Sequence, residues 1–464
     1  MSAGPDWSGR TLQVRLGPPG HGGFCVARHE GRVLFVRHGL PGELVRARVT
    51  EDRGGSFCRA EAIDILEASP DRVAPNCPVS GPGGAGCCDF AFATPQAQRA
   101  LKASVVREQL RRLAHWETDI VVETLPVRET GLGSEAGGAG RSRVPAAGSE
   151  PDADHRLRED ATVVVPGGEA PEVGWRTRVR LVVDAEGRAG VHRYRSSDVI
   201  TDLRCPQPVS GAMDGIADRA WTPGAELVIA VDADGLRHIV ELAPPAAPPR
   251  RGGDRRATAA RRAAAHARRA ERVVSGSGRA VQYVAGRRWE VSATGFWQPH
   301  RDAAQRYSDV VAEWADLAPG ATAWDLYCGA GVFAARLAEQ TGPGGSVLGV
   351  ESARSAVADG TAALRDLPAV DLRSDRVERW IAAQERAPEV VVLDPPRAGA
   401  GKQVITPLAA AAPARIVHIG CDPAAFARDV GLYREAGYRV RELRAFDAFP
   451  ATHHVECLAL FERA

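Results

Sequence analysis

The sequence predicts an α/β protein: a doubly wound parallel sheet in the C-terminal part, a small β-barrel at the N-terminus, and a small central α+β domain between them. Two observations predict it. From about residue 285 onward, strand-like runs at 323–326, 346–350, 390–393 and 415–419 alternate with helical segments, the pattern of parallel strands joined by helical crossovers. Within residues 8–66, short β-rich runs at 12–16, 24–27, 32–36 and 43–49 recur with period-2 polarity between glycine turns, which is how a small closed sheet reads.

Composition permits this plan and excludes others. At 464 residues and 44% hydrophobic, the chain is long enough for two or three separately cored domains. It shows no signal-peptide core and no run of about 18 apolar residues, so a cytoplasmic protein without membrane partners is expected, with a monomer as the default state. Nine irregularly spaced cysteines in such a setting favour metal or catalytic use over a disulfide framework. All but two of the 59 basic residues are arginine, the exceptions being Lys102 and Lys402; arginine suits phosphate contacts well.

Reading in order, residues 67–284 form the central domain. It opens with a cysteine-bearing turn from Cys77 to Cys88, followed by a helical pattern through Leu101, Val105, Val106, Leu110 and Leu113. Residues of about 130–172 are rich in Gly, Ala, Ser and Pro and are expected to be a disordered insertion. A second insertion is expected at about 245–272; its residues 250–272 carry nine arginines against Asp254 and Glu271, either a solvated segment or an electrostatic arm for RNA phosphates.

Residues 285–464 carry the chemistry. Asp325-Leu326-Tyr327-Cys328-Gly329-Ala330-Gly331 follows a hydrophobic strand and precedes a helix, so its glycines let backbone approach a ligand at the C-terminal edge of the sheet. Glu351 ends the next strand, where an acid can accept both hydroxyls of a ribose. Loop and acid together indicate an adenosine-containing ligand, and D-x-x-C-G-x-G is not the G-x-G-x-x-G of dinucleotide sites. Asp394-Pro395-Pro396-Arg397 closes another apolar strand in a stiff turn. An isolated buried cysteine is usually structural, but Cys421 stands where residues 415–419 leave the sheet at the crevice end, whereas Cys25, Cys58 and Cys457 sit in apolar β-like runs and are expected to be core.

These motifs, in this order, resemble those of the RNA uracil-5-methyltransferase family: D-L-Y-C-G-A-G at 325–331, D-P-P-R at 394–397, C-D-P-x-x-x-x-R-D at 421–429 and F-P-x-T-x-H-V-E at 449–456. The N-terminal stretch, through Gly20-His21-Gly22-Gly23 and Leu40-Pro41-Gly42-Glu43, resembles a TRAM domain, an OB-like RNA-binding barrel. The resemblance implies a Rossmann-like methyltransferase domain using S-adenosyl-L-methionine. Cys421 would be the nucleophile and Glu456 the base. Gln298, Asp325, Tyr327, Gly329, Gly331, Glu351 and Asp394 would bind cofactor, and Arg397 would bind substrate, with Asp394 and Arg397 orienting the base. It also implies an RNA partner, ribosomal RNA ahead of tRNA, because tRNA-specific relatives generally lack the barrel.

One further implication is a [4Fe–4S] cluster held by Cys77, Cys87, Cys88 and Cys205, from which this chain departs: Ala85 occupies the middle ligand position of the family's cysteine spacing. Zinc or no metal are the other readings of that set. A cytosine-C5 methyltransferase would place its nucleophile after Pro or Thr rather than Gly420, and a non-catalytic RNA-binding protein would not need Cys421 and Glu456.

Overall fold

Alternating burial along Thr11–Arg15 commits the N-terminal residues to strands with one inward face. In the computed structural model, which describes residues 6–125, 173–245, 269–384 and 388–463, six strands form this first sheet: β1 (Thr11–Arg15), β2 (Pro19–Gly20), β3 (Phe24–His29), β4 (Arg32–Arg37), β5 (Leu44–Asp52) and β6 (Phe57–Glu67). Their spatial order is β1-β5-β6-β4-β3-β2, with β4 and β6 parallel. Leu34, Val36, Val45 and Ala47 are fully buried at its centre. Register shifts along the β5–β6 pair bend it.

After the cysteine turn comes α1 (Pro95–Leu113), started by Pro95 in its first turn and by Thr94, whose hydroxyl accepts from Ala97 N at 3.3 Å. Strand β7 (Val122–Thr124) follows. The second sheet is antiparallel and runs β10-β9-β8-β11-β12-β13, from β8 (Arg178–Val183), β9 (Ala189–His192), β10 (Val199–Ile200), β11 (Glu226–Val231), β12 (Arg237–Leu242) and β13 (Glu271–Ser275). A hairpin of β14 (Arg279–Val284) and β15 (Arg287–Ser292) leads out of it. Residues 126–172 and 246–268, which hold most of the two expected insertions, lie outside the described residues. Arg269 and Arg272 are described, and they pair with Glu226 and Glu241 of the second sheet.

The C-terminal part is the expected doubly wound layer. In chain order it contains α2 (Ala303–Ala315), β16 (Thr322–Leu326), α3 (Val332–Thr341), β17 (Ser346–Glu351), α4 (Arg354–Ala363), β18 (Val370–Ser374), α5 (Val377–Ile381), β19 (Val390–Leu393), α6 (Gly401–Ala411), β20 (Arg415–Gly420), α7 (Pro423–Glu435), β21 (Tyr438–Asp447) and β22 (Glu456–Arg463). The eight-stranded sheet has the order β18-β17-β16-β19-β20-β22-β21-β7. The chain winds outward from β16 through β17 and β18, then returns to the other side of β16 with β19, so the strand order reverses between β16 and β19 and opens a crevice there. Only β22 runs antiparallel to its neighbours. Val390–Leu393 is buried throughout, as a strand covered on both faces must be.

Sequence distance hides two members of this layer. β7 adds parallel to β21 at the outer edge, and α1 packs on α7. Lys102 of α1 is fully buried and paired with Asp447, and its ammonium also donates to Phe449 O at 3.0 Å. Among the described residues no helix is long and apolar enough to cross a membrane.

Candidate active site

Parallel strands deliver their C-terminal ends to one edge, so residues far apart in sequence meet there. Past the end of β16, Tyr327, Gly329 and Gly331 take positive φ values of 62°, 53° and 76°, turning the chain sharply into α3. Asp325 is fully buried beneath this loop and its carboxylate accepts from Ala334 N at 2.8 Å, tying strand to helix; burial holds its pKa well above the ordinary range. Asp325 and Gly331 therefore shape the loop from behind. Gly329 faces outward, and a Cβ there would meet nothing within 4 Å.

Glu351 ends β17 beside the loop. One oxygen accepts from Ala353 N at 2.7 Å and the other from Gly329 N at 3.3 Å. Across the crevice, Asp394 leaves β19 with its N–H donating to Leu326 O at 3.2 Å. Burial, reinforced by the nearby Glu351 charge, pushes its pKa up to about 7.

The β20–β22 register pairs Gly420 with Cys457, so one step further Cys421 stands opposite Glu456. Burial and then the Glu456 and Asp394 charges push the Cys421 thiol up to about 12, opposed by Arg397. Glu456 is likewise raised well above 4.5, by burial and then by Asp394. Two carboxyls and a thiol thus share a dry site that tolerates few negative charges, and all three are held above their ordinary pKa values. Arg397 donates to Nε2 of His454 at 3.4 Å, and burial, with the adjacent His453 and Arg397, lowers the His454 pKa to about 3, so that imidazole stays neutral and accepts. His453 in turn contacts Asp89 of the cysteine turn, whose carboxylate also takes the Arg37 guanidinium of the barrel.

One cavity of about 890 Å³ joins these groups, and Gln298, Tyr327, Gly329, Glu351, Asp394, Arg397, Cys421 and Glu456 all line it. A nucleoside-sized cofactor and an extruded base together fit such a volume.

Residues 279–464 match the tRNA (uracil-5-)-methyltransferase family, and residues 7–63 match the TRAM domain. An RNA methyltransferase of Streptomyces avermitilis is 41% identical over 461 residues, covering 98% of this chain and 99% of that protein. The chain belongs to the RNA uracil-5-methyltransferase family. A second relative, the 23S rRNA (uracil(1939)-C(5))-methyltransferase of Photorhabdus laumondii, is 28% identical over 95% of this chain and 94% of its own length. Among solved structures, the Pyrococcus abyssi tRNA (uracil-54, C5)-methyltransferase in complex with S-adenosyl-L-homocysteine matches at a TM-score of 0.63 and 17% identity, over 97% of this chain and all of that one, a likeness of fold.

Within this uracil-5-methyltransferase the four cysteines of the expected cluster do converge. Cys77 is hydrogen-bonded to Cys205 and Cys88, bonds that lower its pKa and raise theirs. Cys87 Sγ lies 3.9 Å from Cys88 Sγ, and Cys88 also accepts from Gln207 Nε2 at 3.2 Å. Yet among the described residues no group of three or more His, Cys, Asp or Glu is arranged to hold a metal ion. The [4Fe–4S] expectation is not supported: two ligands would be chain neighbours with sulfurs side by side, and Ala85 replaces the spaced one. Cys87 alone of the four lines the cavity.

Three cavity residues escaped the sequence reading. Tyr307 of α2 is fully buried with its hydroxyl unpartnered, and the Glu456, Asp394 and Cys421 charges reach it. Arg176, from before β8, brings a guanidinium held by Gln207 at 3.1 Å. Phe296 is 71% exposed at the cavity wall. Tyr307 sits in an apolar helical pattern that reads as core, and only Phe296, beside Gln298, carried a local signal.

Proposed function

We propose that this enzyme methylates C5 of a uracil in ribosomal RNA through a covalent adduct between Cys421 and C6 of the base. The observation that carries the reading is the juxtaposition of Cys421 with Glu456 in the cavity that also holds the glycine loop and Glu351. Pyrimidine C5 is not a nucleophile until something adds to the ring. The Cys421 thiolate forms a carbon–sulfur bond at C6, and the ring π pair shifts toward C5 and the C4 carbonyl. Arg397 and Asp394 hold the polar edge of the base. S-adenosyl-L-methionine, when bound by the Glu351 carboxylate and the Tyr327–Gly329 loop, supplies the electrophilic methyl group. Gln298, which lines the same cavity, assists that binding. After transfer, Glu456 takes the C5 proton, and the electrons of that C–H bond restore the ring and expel the Cys421 thiolate. Burial and then the Asp394 charge raise the Glu456 pKa well above 4.5, which makes its carboxylate a stronger base toward that proton.

A base inside a stack cannot reach Cys421, so the target nucleotide is flipped into the cavity. Phe296 at the wall is suited to stack on a displaced base. The ribosomal assignment is favoured by the extended similarity to the rRNA enzyme of Photorhabdus laumondii, barrel included. The test is to map 5-methyluridine in separated ribosomal RNA and tRNA from a strain lacking the gene and from its parent. Loss of one ribosomal 5-methyluridine is expected; loss confined to tRNA would reassign the substrate, and no loss would reject the activity.

A further inference from the structure

The turn that carries Cys421 is held from outside its own domain. Asp422 uses Oδ1 to cap α7, accepting from Ala424 N at 3.1 Å and Ala425 N at 2.9 Å. Its other oxygen, Oδ2, lies 3.0 Å from Nε2 of His21, on the β2–β3 turn of the barrel. That turn is fixed in place. Gly22 and Gly23 have φ of +95° and +78°, and a Cβ on Gly23 would stand 2.9 Å from the Cβ of Asp89, so the turn abuts the cysteine segment with no space between. Asp89 in turn contacts His453, three residues before Glu456. The barrel therefore touches both catalytic segments, one through His21 and the other through Asp89.

We propose that His21 is a positioning residue for Cys421, clamping Asp422 so that the thiol faces C6 of the base. The proposal rests on the reading of Cys421 as nucleophile. Three features support it. Asp422 already has one oxygen fixed by the helix cap, so a second contact on Oδ2 removes the remaining rotational freedom of a residue adjacent to the nucleophile. The pair also reinforces itself: His21 is raised chiefly by its hydrogen bond to Asp422, and Asp422 is lowered by His21 against the opposing effect of burial. Finally, Asp422 is one of the carboxylates facing the thiol, with Glu456 and Asp394, while Arg397 opposes them; an imidazolium on Asp422 offsets its share of that negative field. The side chains of His21 and Asp422 are 37% and 28% exposed. A partly exposed pair contributes little to stability, so its effect belongs in turnover.

The experiment uses the full-length enzyme, methyl-labelled S-adenosyl-L-methionine, and total RNA from a strain lacking the gene. His21→Ala should lower kcat about tenfold or more, as small misplacements of reacting groups do, with KM for S-adenosyl-L-methionine changed less than about twofold. His21→Gln keeps an N–H donor for Asp422 and should recover most of the rate. In an Asp422→Asn background, His21→Ala should have almost no further effect, because the two residues act as one unit. An unchanged kcat for His21→Ala, an undiminished effect in the Asp422→Asn background, or a rise in RNA KM alone would overturn the proposal. Cys421→Ala is assayed alongside. If it still methylates, the nucleophile assignment has failed; if it is inactive while His21→Ala is not, only the positioning role has.

Discussion

Cys421, the proposed nucleophile, has its thiol held near 12 and should be nearly inert in the free enzyme. At pH 8 such a group is four units below its pKa, so about one molecule in 10⁴ carries the thiolate, against about a quarter for an ordinary cysteine of pKa near 8.5. The thiolate fraction is thus lower by roughly three orders of magnitude. The more basic thiolate is intrinsically more reactive; with a Brønsted slope of about 0.4–0.5 over about 3.5 units, that returns roughly thirtyfold to sixtyfold. Alkylation of Cys421 by iodoacetamide at pH 8 should therefore be slower than that of free cysteine by roughly two orders of magnitude. The sign with pH follows: the neutral thiol is the favoured form, so the rate should climb about tenfold per unit up to the limit of protein stability. Glu456→Gln removes the largest charge acting on the thiol after burial, and should speed labelling wherever Glu456 is ionised. Peptide mass spectrometry reads the rate, with exposed Cys87, whose pKa is lowered chiefly by its hydrogen bond with Cys88, as a fast internal reference. A plateau below pH 9, or labelling as rapid as that of free cysteine, would show that the site is not the dry, carboxylate-lined space described.

Other outcomes follow from separate parts of the molecule. Cys421→Ala should abolish methylation and the covalent complex with RNA carrying 5-fluorouridine, whereas Glu456→Gln should accumulate a denaturation-resistant adduct on ordinary RNA whose base already carries the labelled methyl group. Lys102→Met strands the buried Asp447 carboxylate and should cost about 3–5 kcal/mol in urea unfolding; adding Asp447→Leu should restore much of that loss, and full stability in the single variant would deny that the pair is intact. Anaerobically purified protein should hold far less than the about four irons per chain of a cubane cluster, and stoichiometric iron with the matching colour would reverse the reading of the cysteine turn. Deleting residues 246–268, which include seven of the arginines in 250–272, should weaken RNA binding and flatten its salt dependence, an unchanged slope marking the segment as a passive linker.

What could be read from the sequence was whatever local order encodes. The glycine loop, the Asp394 turn, Cys421 and Glu456 each lie at a strand end, and an alternating α/β pattern sends strand ends to one edge; their convergence was therefore legible before any coordinates. The structure adds that Asp325 and Gly331 work from behind the loop rather than on the cavity wall. Pairings across long separations were not legible. Lys102 with Asp447 and His21 with Asp422 are 345 and 401 residues apart, and no periodicity links them. Tyr307 was hidden for another reason: on an apolar helix face, a hydroxyl aimed at a cavity and one lost in a core have the same spacing. The cysteine turn keeps the number of thiols that the resemblance implies but not their spacing, a departure visible in the sequence at Ala85.

The outermost strand of the catalytic sheet has a consequence for how the chain is made. β7 leaves the ribosome about three hundred residues before β21, the strand it will pair with, and α1 waits similarly for α7. During that interval the barrel and the second sheet can close on local contacts, while Val106, Leu110, Ile120 and Val122 have no surface to cover them. Helix α7 and then the segment β21 through β22 supply the cover, and that segment also carries Glu456. Arrival of this segment thus closes the cavity and shelters β7 in one event, so a chain lacking it would leave the cavity open and expose a sheet edge together, a state suited to prompt removal by quality control.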